Sequence, residues 1–116
     1  MTYIDGFVLA VPDAKREEYR RHAEEIAPVL KAHGALSLVE CWGDDVPEGK
    51  LTSFRMAVQQ AEDETVVFSW VTWPSKAARD AGWQAIMADP RRMDPATAPF
   101  DAKRMIYGGF TVLMQA

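Results

Sequence analysis

Thr65-Val66-Val67-Phe68-Ser69-Trp70-Val71-Thr72-Trp73 is almost continuously apolar or β-branched and is closed by Pro74. That is the pattern of a strand buried on both faces rather than on one. Val66, Phe68 and Trp70 fall on one side of it and Val67, Val71 and Trp73 on the other. Two further stretches read the same way. Tyr3 to Val11, stopped by Pro12, alternates Phe7 and Leu9 with Ile4 and Val8. Met105 to Met114 alternates Tyr107 and Leu113 with Ile106, Phe110, Val112 and Met114, and Gly108-Gly109 in its middle marks a bulge or a close backbone approach. Leu36 to Trp42 supplies a fourth strand, followed by the turn-rich Gly43-Asp44-Asp45-Val46-Pro47-Glu48-Gly49.

Between the first two strands the period changes to that of a helix. Tyr19, Ala23, Ile26 and Leu30 recur at spacings of three and four from Ala14 to His33, with Asp13 as the expected N-cap and Gly34 as the stop. Pro28 predicts a kink or break near Glu24 to Pro28. A second helix is expected from Ser75, as its cap, to about Ala88, with Trp83, Ile86 and Met87 on one face. Thr52 to Gln60 reads either as a short capped helix or as an irregular lead into the next strand.

The order strand, helix, strand, strand, helix, strand is the ferredoxin-like βαββαβ pattern, an α+β protomer with a four-stranded antiparallel sheet. Two helices cover one face of such a sheet, whereas three of its strands are apolar on both. The second face therefore needs a cover, and a second copy of the same face supplies one that two-fold symmetry makes self-complementary. A homodimer closed sheet to sheet is the expectation.

A length of 116 residues suits a single domain spanning 1–116, and 48% hydrophobic with 26% charged residues is an ordinary globular composition. The net charge of -4, with 13 basic residues scattered among 17 acidic ones, offers no attraction to phosphate backbones or anionic lipid. No nucleic-acid partner and no membrane partner are expected. Cys41 is the only cysteine, so no intrachain disulfide forms. The amino-terminal apolar run has no basic stretch ahead of it and is too short to span a bilayer, which makes the cytoplasm the expected location.

The runs Tyr3-Ile4-Asp5-Gly6-Phe7, His33-Gly34-Ala35-Leu36, Val39-Glu40-Cys41, Gly43-Asp44-Asp45-Val46-Pro47, Thr52-Ser53-Phe54, Val67-Phe68-Ser69-Trp70 and Lys103-Arg104-Met105-Ile106-Tyr107-Gly108-Gly109-Phe110 closely resemble the YbaA-like bacterial family, the domain-of-unknown-function family numbered 1428. The resemblance covers nearly the whole chain. It implies a dimeric α+β barrel, a ferredoxin-like protomer paired sheet to sheet, and it implies no mechanism. Ala102 stands where the family pattern has glycine and Lys76 where it has arginine.

No motif for a phosphate loop, a dinucleotide, zinc or a serine nucleophile is present, and no cofactor is expected. His22 and His33 fall beside the apolar helix stripe, but eleven residues of straight helix place them about 16 Å apart, too far to share a metal within one chain. His33 and Glu40 are the candidate catalytic pair: the chain turns at Gly34 and the next strand brings Glu40 back toward the same layer. The other reading of the pair is a salt bridge or helix-end contact. Asp5 shares a strand face with Phe7 and Leu9, so it needs a partner if buried, and Lys103 or Arg104 is the expected one. Asp44, Asp45 and Glu48 read as a solvated acidic turn.

With Trp70 and Tyr107, the residues Asp5, Lys103 and Arg104 form the candidate ligand-binding set, although the aromatics also read as core or interface. The leading functional expectation is a small apolar or aromatic molecule held, or held and transformed, in a cavity between helices and sheet. The alternative is a non-catalytic dimer that interacts with or regulates another protein. An RNA-related role is disfavoured by the charge.

Overall fold

A computed structural model describes residues 2–116. The chain forms β1 (Tyr3–Pro12), α1 (Arg16–Ala32), β2 (Ser37–Trp42), a one-turn helix α2 (Phe54–Ala57), β3 (Glu64–Trp73), α3 (Lys76–Ala88) and β4 (Ile106–Thr111). The four strands make one antiparallel sheet in the order β2-β3-β1-β4. This is the ferredoxin-like α+β arrangement read from the sequence.

Register sorts the side chains. Tyr3, Asp5, Phe7, Leu9 and Val11 of β1 stand opposite Trp73, Val71, Ser69, Val67 and Thr65 of β3, and all of these share the face under α1 and α3. Ile4, Val8 and Ala10 pair with Thr72, Phe68 and Val66 on the other face, which Ile106 and Phe110 of β4 join. The helix-side core is built on Leu9, Val11, Tyr19, Leu30, Val67, Val71, Trp73 and Ile86, all buried.

The second face is only partly covered. The β2–β3 connection folds over one end of it, where Val58 is fully buried against Val8, Ala10 and Val66. Ser53 caps α2 by accepting from the Met56 N–H at 3.0 Å, which resolves the ambiguous Thr52 to Gln60 stretch as a short helix. The rest of the face stays apolar and open: Phe68 is 44% exposed, Ile106 45% and Phe110 61%.

Several local expectations change. Asp13 does not cap α1. It lies in a 3-10 turn, Asp13–Lys15, and its carboxylate accepts from the Thr65 hydroxyl, because the chain leaves β1 beside the start of β3. The helix also passes Pro28 without breaking. Pro28 is exposed, so the carbonyl it leaves unpaired can turn to water, while Ala23, Val29 and Leu30 anchor the helix on either side. At the other end, Gly34 takes φ 107°, and Gly34 N–H to Lys31 O with Ala35 N–H to Leu30 O closes a Schellman motif.

β4 ends at Thr111 rather than Met114, because Thr111 pairs with Tyr3 where β1 begins. Gly108-Gly109 makes no bulge, since pairing with β1 runs unbroken through both. The close-approach reading is the right one. A side chain at Gly109 would collide with the Tyr3 hydroxyl and come within 2.8 Å of Arg79 Nη2.

Candidate functional site

Between α1, α3 and the sheet lies a cleft of about 260 Å³. The α1 stripe faces it with Tyr19, Ile26 and Leu30, and α3 with Trp83, Ile86 and Met87. Phe7, Leu9, Leu38 and Val71 form the sheet side, and the chain after α3 closes round it with Met93, Pro95, Phe100 and Met105. The walls are apolar because helical and strand periodicity turn their hydrophobic sides to the same space. A second groove of about 400 Å³ runs outside it, between α1 and the edge strand β2, and Tyr19, Leu38 and Glu40 stand between the two.

Glu40 is the carboxylate of this cleft. Strand alternation points it to the helix side, across from Ser69, and the Tyr19 hydroxyl donates to its Oε1 at 2.7 Å. Glu40 is exposed, open to the outer groove as well as to the cleft, yet the protein packed round its carboxyl raises its pKa above the ordinary value. The hydroxyls of Tyr19 and Ser69 favour the charged form and pull the value partly back. Burial and then the Glu40 charge push the Tyr19 phenol in the opposite sense from activation, well above its ordinary value, so Tyr19 remains a neutral donor. His22 also lines the cleft. Burial lowers its pKa against the opposing pull of Glu25 and Glu18. Arg92, exposed on the loop after α3, is the cation of the lining.

His33 does not join Glu40. Fourteen residues of α1, about 21 Å of rise, separate His33 from the Tyr19 that binds Glu40. The return strand brings back the main chain, but Glu40 sits four residues into it, away from the helix end. His33 Nε2 instead meets Asp89 Oδ2 at 2.9 Å, tying the end of α1 to the end of α3. Arg91 first and His33 second hold the Asp89 carboxyl well below its ordinary value.

The expected partner of Asp5 also changes. Asp5 is 4% exposed and is held by Arg79, with Nη2 to Oδ1 at 2.8 Å and Nε to both oxygens at 3.1 Å. The indole N–H groups of Trp73 and Trp83 donate to Oδ2 at 2.9 and 2.8 Å. Arg104 is committed elsewhere, to Glu64 at 2.6 and 2.7 Å, because the 3-10 turn Ala102–Arg104 sits beside the start of β3. Lys103 is exposed on that turn. Trp70 lies on the open sheet face, where it packs on Phe68 at 5.6 Å between ring centroids. Tyr107, 73% exposed, stacks on Phe7 at 6.3 Å at the sheet edge. The expected ligand set is thus dispersed over a buried ion pair, the open face, the β4 edge and a surface turn.

The sequence reading names His22 beside the apolar stripe but does not reach Tyr19 and Ser69 as polar members of the cleft or Arg79 as the partner of Asp5. Ser69 carried a signal, a lone small polar residue on the buried side of the clearest strand. Tyr19 was legible only as part of an apolar stripe. Arg79 had no local signature, since only the docking of α3 on β1 brings it to Asp5.

The model of a family described as "Protein of unknown function (DUF1428)" matches residues 2–102. The uncharacterized protein YbaA of Escherichia coli strain K12 is 57% identical over 111 residues, 95% of each chain, and the YbaA protein of Shigella flexneri matches to the same extent. Among solved structures, a dimeric ferredoxin-like protein from an uncultured marine organism superposes with a TM-score of 0.61 at 13% identity, covering 99% of this chain and 98% of that one. That likeness shows the fold alone; the match over 2–102 and the YbaA relatives lead to one conclusion, that the chain belongs to the DUF1428 family.

Proposed function

We propose that the chain forms a homodimer through the open faces of its sheets and that each protomer binds a small apolar or aromatic molecule in the cleft between α1, α3 and the sheet. The observation that carries the binding reading is Glu40, an exposed carboxylate on the wall between an apolar cleft of about 260 Å³ and the outer groove, held by a neutral tyrosine. Few, well-placed polar groups in an apolar concavity are what a small-molecule site requires. Glu40 is also the group placed to take or return a proton, because crowding has moved its pKa toward neutrality. His33 serves as a tie between helix ends and leaves the chemistry to Glu40.

The dimer reading rests on the exposed Phe68, Ile106 and Phe110 and on the groove of about 600 Å³ that they share with Trp70. That much contiguous apolar surface is costly to leave in water. The solved ferredoxin-like neighbour is itself dimeric. Helix-side clefts and sheet-side contacts lie on opposite faces, so pairing leaves the clefts accessible.

The experiment pairs light scattering with binding of small aromatic probes followed by tryptophan fluorescence, since Trp83 lines the cleft. Twice the 13.0 kDa chain mass and saturable probe binding are expected. Ile26→Trp, which fills the cleft, should abolish binding and keep the dimer mass. Binding unchanged in Ile26→Trp, or none in the wild type, overturns the site. A stable monomer overturns the dimer.

A further inference from the structure

We infer that the ligand of this cleft is an uncharged aromatic or alicyclic molecule carrying a hydroxyl group, which it donates to Glu40. The inference rests on the cleft being a binding site, and it adds the chemical class of the occupant.

Size sets the first limit. A cavity of about 150 Å³ accepts benzene, so one of about 260 Å³ holds a substituted ring or a compact bicyclic body. Met87, Met93 and Met105 in the lining supply flexible thioethers that pack against ring edges.

Polarity sets the second. A carboxylate offers roughly four lone-pair sites, of which the Tyr19 hydroxyl takes one and the neighbouring Ser69 hydroxyl at most another. Acceptor capacity therefore remains on Glu40. A hydrocarbon entering the cleft would strip water from the cleft side of that carboxylate and return no hydrogen bond there. An anionic ligand would bring like charge beside it in a partly desolvated space. The cationic alternatives near the site do not cancel that repulsion. Arg79 is spent on Asp5, Arg104 on Glu64 and Arg20 on Glu17 and Glu24, Arg16 lies over the Trp42 ring, and Arg92 is exposed on the loop after α3. The Tyr19 proton is already committed to Glu40, and the imidazole of His22 is kept toward its neutral form. A neutral hydroxyl on an apolar body satisfies the spare lone pair without adding charge.

The test uses three probes with one body, 4-ethylphenol, ethylbenzene and 4-ethylbenzoate, titrated calorimetrically into the full-length dimer near neutral pH. The phenol should bind about tenfold or more tighter than ethylbenzene, as a hydrogen bond to a charged acceptor provides, and the benzoate should bind weakest. Glu40→Leu should erase the advantage of the phenol while ethylbenzene binds at least as well as before. Glu40→Gln keeps an acceptor of the same shape without the charge, so it should mainly relieve the penalty on the benzoate, and it preserves the test if the leucine variant folds poorly. Ethylbenzene or 4-ethylbenzoate binding the wild type as tightly as the phenol overturns the hydroxyl assignment and leaves the cleft a site. Failure of all three to bind overturns the assignment and the cleft together.

Discussion

Asp5→Ala tests the polar knot that joins the sheet to α3. The substitution removes the one acceptor shared by Arg79, Trp73 and Trp83. Trp73 is 0% exposed, so its indole N–H has no water to turn to and carries the full cost of an unsatisfied buried donor, about 1–3 kcal/mol. Trp83 is half-buried and adds part of such a cost, whereas the Arg79 side chain is 23% exposed and can swing toward solvent. The sum is about 2–4 kcal/mol, reaching the lower end of what breaking a buried ion pair costs. With a melting entropy of about 2.1 cal/mol/K per residue, a chain of 116 residues changes its Tm by about 4 °C for each kcal/mol. Asp5→Ala should therefore melt about 8–16 °C below the wild type in scanning calorimetry at fixed protein concentration. Lys103→Ala, on an exposed turn away from this knot, should melt with the wild type. A loss under about 4 °C for Asp5→Ala would refute the claim that this carboxylate is needed by three buried or half-buried donors.

The open face and Glu40 give three further outcomes. Phe68→Glu should shift the species in light scattering from dimer to monomer, because a charge at the centre of a face-to-face contact is left unpaired and desolvated. Cys41, half-buried on that face opposite Phe68, should then react with thiol reagents faster than in the wild type, and equal rates would count against the face being covered. Glu40 binds its proton more tightly folded than unfolded, so its contribution to stability is full below pH 4.5 and is lost as pH rises through the higher folded value. Between acid and neutral pH the wild type should thus lose stability relative to Glu40→Gln in urea melts, and parallel curves would show that the raised pKa is wrong.

Local patterning was enough for the elements and their order. The two-sided strand Thr65 to Trp73, the α1 stripe through Tyr19 and Leu30, the Gly34 stop and the Ser75 cap, whose hydroxyl accepts from the Ala78 N–H at 3.1 Å, all appear where periodicity put them. Those signals work because strand and helix periods, caps and positive-φ glycines act within a few residues of the backbone. Asp5 could be recognised as a charge in need of a partner for the same reason. Which partner it would find could not, because Arg79 lies 74 residues away and is chosen by how α3 seats on β1. His33 and Glu40, close in sequence, each found a mate on another element, Asp89 and Tyr19. The identity of strands and helices is thus written in local spacing, while ion pairs, hydrogen bonds and the walls of the cleft are made across elements, where register and helix docking decide which side chains can touch.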